Sequence, residues 1–355
     1  MAPQGHRLEE PPAPPVISRT LTVAFRRCLL AALIGVALAP SSAWAQATRP
    51  TAIKHPSGGF TVAANDSFDL WFDAWGKGPG MIFLARSPDE NRAYAEALSN
   101  GYRVVIYEPR EIAAGVKASL DKIPDQTARK AAEAHLAGRN TSWDPSAFTD
   151  YPMDLVIGDL HRVADAAGMD KFVLAGYSGT GRLAAFYAAH SKRAVGMVIG
   201  GYHILGSQDY WIGYLAGSGA AQASMPGTSE ITKQLGRLGR MQVMLEHNID
   251  GQAAFGALTG PKVIWGGSAD GEAGDSLMAN YFFGARIAHR VRSARAEYEK
   301  LGFKFFQLEG LGHVAAVLAA DKAVPLIRQA LITPDTNSCS MLSACVTSLG
   351  GSPKN

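Results

Sequence analysis

Cysteine is scarce. Only Cys28, Cys339 and Cys345 occur among 355 residues. The last two have no histidine or basic cluster beside them to generate a thiolate, which argues against a cysteine nucleophile. Metal-binding patterns are missing as well. There is no His-x-x-x-His and no His-Glu pair on a helical stretch. No Gly-Lys-Ser/Thr loop cradles a phosphate, and no dinucleotide fingerprint follows the first strand. No metal and no cofactor are therefore expected. Net charge is only +3, with Lys and Arg scattered rather than striped, so nucleic acid is not an expected partner. Internal repeats are absent. Beyond the N-terminus there is no run of eighteen apolar residues, so no stable membrane insertion of the mature chain is expected.

What is present is apolar residues at 47% and ordinary charge at 18%, enough for one large core or two modest domains. Residues 1–15 are Pro-rich. Arg19, Arg26 and Arg27 then precede an apolar run at 28–39, followed by Ala43-Trp44-Ala45. Basic flank, short apolar stretch and small-residue site predict a signal peptide over 1–45, cleaved after Ala45. The protein is then exported, periplasmic or secreted, and Cys28 leaves with the signal. In an oxidising compartment Cys339 and Cys345, in a polar tail at 334–355, close a small disulfide loop or stay as two thiols.

Apolar patterning predicts strands at 59–64, 68–75, 81–85, 102–107, 172–175, 195–200, 262–265 and 303–308. Helical patterns fall at 88–100, 154–167, 182–189, 228–247, 279–300 and 320–331. Buried strands alternating with helices imply an α/β class with a mostly parallel sheet covered on both faces. The expected organisation is a core over 46–200, with an insertion at about 112–151, and a second core part over 259–333. Between them residues 201–258 mix Gly, Ser, Met and aromatics with one helical run, and read as a cap.

The stretch that carries chemistry is Gly176-Tyr177-Ser178-Gly179-Thr180-Gly181, between a buried strand and a helix. A tight strand-to-helix turn presents a serine hydroxyl above the sheet. The glycines leave room for crowded backbone. The helix behind points free N–H groups at the reacting site. The pattern departs from Gly-x-Ser-x-Gly in having Thr180 at its last position.

Other motifs occur in a telling order: Gly76-x-Gly78-Pro79, then Gly101-Tyr102-Arg103-Val104-Val105, the elbow, Trp265-Gly266 with a nearby Asp, and Gly312-His313. This order resembles the α/β-hydrolase superfamily over roughly residues 60–331. The resemblance implies an eight-stranded, mostly parallel sheet with a Ser-acid-His triad on three strand ends. Ser178 is the expected nucleophile. His313 is the expected general base, His203 and His247 being the other bases in range. Asp270 is the expected orienting acid, with Asp275 and Glu272 close enough to compete. The Gly179 N–H is one expected oxyanion donor. The second falls in Ala85-Arg86-Ser87-Pro88, where relatives carry His-Gly: the Ser87 N–H by position, or that of Arg86. Arg86 could instead hold an anionic substrate group, and Tyr177 and Tyr202 are expected to line the pocket. An acid nucleophile is absent where Ser178 stands, which disfavours epoxide-hydrolase and dehalogenase chemistry. The expectation is a serine hydrolase acting on a small-molecule carboxylic ester. The same triad on a lactone, thioester, amide or carbon–carbon bond, and a silent binding protein on the same scaffold, stay open.

Overall fold

The computed structural model describes residues 49–205, 224–272 and 286–332. All lie in the second of two units, Arg49–Asn355, the first being Met1–Thr48. The expected signal segment, Asp275, the tail cysteines and part of the 201–258 segment fall outside the described residues, as does the side chain of His247.

The chain opens with β1 (Ile53–Lys54), β2 (Phe60–Ala63) and β3 (Asp69–Trp75), paired antiparallel. Next come β4 (Gly80–Leu84), β5 (Arg103–Tyr107), β6 (Phe172–Tyr177), β7 (Ala194–Gly200), β8 (Lys262–Gly267) and β9 (Phe303–Leu308). The sheet runs β1-β2-β3-β5-β4-β6-β7-β8-β9. β3 meets β5 antiparallel, and every pair beyond it is parallel. Among the described residues the sheet thus has nine strands where eight were expected. The extra one, β1, is two exposed residues at the edge, too short to show any alternation.

Helices fill the connections: α1 (Arg92–Leu98), α2 (Arg110–Ala118), α3 (Gln126–Leu136), α4 (Met153–Ala166), α5 (Gly179–His190), α6 (Glu230–Asn248) and α7 (Gly251–Gly256). Then follow α8 (Ile287–Ser293), α9 (Arg295–Lys300), α10 (His313–Leu318) and α11 (Ala320–Ile332). Local signals explain several starts. The Asp125 carboxylate caps α3 through the Ala128 N–H at 2.7 Å, and the Ser229 hydroxyl caps α6 through the Thr232 N–H at 3.3 Å. Three boundaries differ from expectation. α5 begins at Gly179, because the elbow turns straight into helix. The described part of the 279–300 helix is two helices that break at Ala294, where the backbone leaves helical geometry. His313, expected in a loop, is the first residue of α10.

Strand alternation sorts side chains onto two faces. Met81, Phe83, Val104, Ile106, Val173 and Val198 join Tyr94 and Leu98 of α1 and Val324 and Ile327 of α11. Ile82, Leu84, Val105, Leu174 and Ile199 join Leu160 and Val163 of α4 and Phe186 and Tyr187 of α5. The parallel run puts the C-terminal ends of β4 and β6 to β9 on one edge. Register then brings Tyr177 beside Gly200 and Gly200 beside Trp265. Residues 178, 201 and 268–270 consequently leave the sheet side by side.

On this edge two segments meet. α6 lies against α2 and the short Pro145–Ala147 turn, and Arg237 donates to the Pro145 carbonyl at 2.8 Å. α2 is anchored from below by Arg110, which is fully buried. Its guanidinium donates to Asp159 at 2.5 and 2.8 Å and to Asp66 at 2.6 Å. Removing one partner of such a buried pair costs about 3–5 kcal/mol, so α2 is firmly placed.

Candidate active site

All six residues of β6 are buried, and the strand ends at Ser178 with φ 57° and ψ −126°. A side chain with positive φ costs about 1–3 kcal/mol and persists only where the surroundings enforce it. Three contacts enforce it here. The Ser178 N–H donates to the Gly200 carbonyl at 2.8 Å, tying the turn to β7. A Cβ on Gly176 would lie 2.5 Å from the Thr180 carbonyl oxygen, so no larger residue fits under the turn. The Thr180 hydroxyl accepts from the Tyr177 N–H at 3.2 Å and donates to the Tyr177 carbonyl at 2.9 Å. Thr180, the departure from the usual motif, thus staples the turn. The Ser178 side chain is half-buried, and Gly179, exposed, offers a first-turn N–H with no acceptor inside its helix.

Asp270 follows β8 and is wholly buried. Its Oδ2 lies 2.8 Å from Nδ1 of His313, itself 6% exposed. An ionised carboxylate only accepts, so Nδ1 carries the proton and Nε2 is left as the basic nitrogen. The backbone just before His313 crosses directly over β8. A Cβ on Gly267 would fall 2.0 Å from the Leu311 carbonyl oxygen, so glycine is required there. Tyr177 ties the histidine to the elbow. Its hydroxyl donates to the His313 carbonyl at 2.7 Å, and the two ring centroids are 5.1 Å apart. Among the described hydrogen bonds none joins the Ser178 hydroxyl to His313, whose Nδ1 is held by Asp270.

This strand order, a serine elbow after β6, an acid after β8 and a histidine after β9 are the plan of one architecture. The fold is that of the α/β-hydrolases. No family model matches this chain, and no curated protein matches it. Among solved structures, it is similar to an enol-lactonase from Burkholderia xenovorans LB400, with TM-score 0.48, 14% identity and coverage of 77% of this chain and 100% of that one. A thermophilic esterase from Thermogutta terrifontis has TM-score 0.46 and 16% identity, over 79% of this chain and 97% of that one. An α/β hydrolase from Sphaerobacter thermophilus has TM-score 0.44 and 17% identity, over 76% and 98% respectively. Likenesses this distant carry no activity over to this chain.

The other residues expected at the site fall as follows. Glu272, the competing acid, is taken up by Arg292 at 2.9 Å and Arg286 at 3.5 Å. His203 is buried, with Nδ1 3.1 Å from the Tyr298 hydroxyl, and burial pushes its pKa down to about 4. In the loop after β4, the Arg86 N–H donates to Glu90 Oε2 at 2.5 Å, and its guanidinium reaches Glu90 Oε1 at 3.0 Å. The Arg86 N–H is therefore occupied, while that of Ser87 keeps no protein acceptor among the described residues. The Arg86 side chain is exposed. Tyr177 and Tyr202 are both buried.

A cavity of about 560 Å³ opens beside the elbow, between α5, α2 and α6. Gly179, Thr180, Val116, Leu183, Leu235 and Leu238 contribute to its wall, which is mostly apolar. Tyr177 and Tyr202 are not among the residues lining it. Arg182 does line it, paired with Glu246 at 2.6 Å. So does Glu111, which sequence reasoning passed over. Its signal was the charged cluster Glu108-Pro109-Arg110-Glu111 directly after an apolar strand. Among the described residues no cluster of three or more His, Cys, Asp or Glu could hold a metal ion. No described helix is long and apolar enough to cross a membrane.

Proposed function

We propose that this chain is an exported serine hydrolase that cleaves a small-molecule carboxylic ester through an acyl-enzyme on Ser178. The observation that carries the reading is the buried Asp270–His313 pair, held by Tyr177 against an elbow whose serine sits at positive φ. His313 Nε2 takes the Ser178 proton as Oγ attacks the ester carbonyl. The oxyanion is held by the N–H groups of Gly179 and Ser87. The tetrahedral adduct collapses, and the alcohol leaves with the proton from His313. Water then attacks the acyl carbon and gives its proton to His313, which returns it to Ser178 as the carboxylic acid departs. Residues 201–258 serve as the cap, and α6 over the cavity supports that role. The apolar wall suits a hydrophobic acyl or alcohol part.

A fluorophosphonate probe tests the reading. It should label the wild type and leave Ser178→Ala unlabelled, and p-nitrophenyl esters should be hydrolysed only by the former. A folded wild type that neither labels nor hydrolyses esters refutes the proposal. Export is tested separately by mass spectrometry of the secreted or periplasmic protein, which should begin at Gln46.

A further inference from the structure

The cavity beside the elbow has a polar feature that the proposed reaction does not use. Glu111, half-buried in the first turn of α2, lines it together with Tyr151. The hydroxyl of Tyr151 donates to Glu111 Oε1, and that of Tyr187 donates to the same oxygen at 3.3 Å. Each phenol has a single proton, and burial raises both phenol pKa values well above the usual range, so both stay donors. They occupy Oε1. Oε2 receives the long 3.4 Å contact from Tyr187. Burial pushes the Glu111 pKa up, while the bonds from Tyr151 and Tyr187 and the Arg110 charge draw it back. In its carboxylate form the side chain has about four acceptor positions, so acceptor capacity is left on this wall.

The neighbouring cations are already matched. Arg182 pairs with Glu246, and Arg110 pairs with Asp159 and Asp66. On the facing α6, Gln242 gives its Oε1 to Arg182 at 3.4 Å and leaves Nε2 without a hydrogen-bond partner. The cavity therefore joins an apolar wall, an under-used carboxylate oxygen and an unmatched amide donor. A hydroxyl group, which donates and accepts through one atom, suits either polar neighbour. An ammonium group suits the site less well, because Arg182 lines the same wall and Arg110 adjoins Glu111.

We infer that this site selects esters whose otherwise apolar acyl or alcohol part carries a hydroxyl group, which donates to Glu111 inside the cavity. The inference rests on the hydrolase reading for the bond cleaved, and on the cavity alone for the group recognised. Glu111 is a specificity residue and takes no part in the chemical step.

Two measurements test it. The first compares kcat/KM for p-nitrophenyl hexanoate with hydroxyhexanoates whose hydroxyl is stepped along the chain, and with the aminohexanoate. At least one hydroxylated ester should be favoured by about 10- to 100-fold, the range of a hydrogen bond to a charged group. Glu111→Gln keeps an acceptor for the tyrosines but turns the second oxygen into a donor. It should abolish the preference, the loss falling on the KM of the hydroxylated ester. Equal rates for all esters, a stronger preference for the amine, or a preference that survives in Glu111→Gln would overturn the inference. If Glu111→Gln fails to fold, Tyr151→Phe retains the carboxylate and should keep the preference, and the wild-type comparison decides by itself.

The second measurement is calorimetric binding of the corresponding methyl esters to Ser178→Ala. The favoured hydroxylated ester should bind about tenfold tighter than its plain counterpart. This arm needs no turnover. Selective binding without fluorophosphonate labelling of the wild type would sink the hydrolase reading and leave the cavity inference standing. Labelling without selectivity would do the reverse.

Discussion

Replacing Asp270 by Asn tests the proposed machinery most directly. The carboxylate is fully buried and 2.8 Å from His313 Nδ1. Under the proposed mechanism the imidazole gains a proton only as Ser178 attacks. In the transition state the carboxylate faces an imidazolium, so most of its effect falls on kcat. At 2.8 Å and an effective dielectric of ~20, two unit charges attract by about 6 kcal/mol. At about 1.4 kcal/mol per tenfold, that is roughly four orders of magnitude in rate. Asn removes the charge and can also donate to Nδ1, which would trap the proton on Nε2 and leave no base toward Ser178. The expected result for Asp270→Asn is therefore a fall of about 10³- to 10⁴-fold in kcat on a p-nitrophenyl ester, with KM within a few-fold. Burial shields the pair from counterions, so added salt should change the ratio little. Fluorophosphonate labelling should slow in parallel, and near-UV circular dichroism should match the wild type. Glu272→Gln, in an exposed arginine pair nearby, should stay within about twofold of wild type. Retention of more than about a tenth of wild-type kcat by a folded Asp270→Asn protein would refute the assignment.

Three further outcomes are expected. Gly176→Ala puts a Cβ 2.5 Å from backbone that cannot yield, so stability should fall by about 2–3 kcal/mol and Tm by several degrees; an unchanged melting curve would contradict the elbow geometry. Glu90→Ala frees the Arg86 N–H and loosens the loop that presents Ser87, so kcat should drop about 10- to 100-fold at nearly constant KM, with partial recovery in Glu90→Gln; a kcat equal to wild type would remove Ser87 from the oxyanion site. His203 has a folded pKa lowered to about 4, chiefly by burial and then by the Arg290 charge. Its neutral form is the one the fold accommodates, so its contribution is complete above about pH 6.5 and is lost as pH falls toward about 4, up to roughly 3 kcal/mol. Urea unfolding across that window should show the loss in wild type and a shallower dependence in His203→Gln; identical slopes would mean that another group is responsible.

Much of the fold could be read along the chain because its signals are local. Eight strands are four or more residues long and carry enough apolar alternation or continuity to be seen, whereas β1 at two residues carries none. The elbow was legible for the same reason: strand, small residues and helix are contiguous, and crowding at Gly176 and Gly181 leaves its mark within six residues. The competition among acids was not resolvable that way. Asp270, Glu272 and Asp275 differ by a few positions, and only the turn after β8 decides that Asp270 points inward to His313 while Glu272 points outward to two arginines.

The 355 residues alone dictated the class of architecture, the strand-to-helix serine turn and the chain order of its companions, because each is written in neighbours or in simple periodicity. Tertiary structure alone decided which donor of the β4 loop is free, since Glu90 claims the Arg86 N–H through a turn that no spacing rule reveals. It alone placed Glu111 on a cavity wall between helices more than a hundred residues apart in sequence. Such contacts arise from how helices pack over the sheet edge, and packing joins residues whose separation along the chain carries no information about their distance in space.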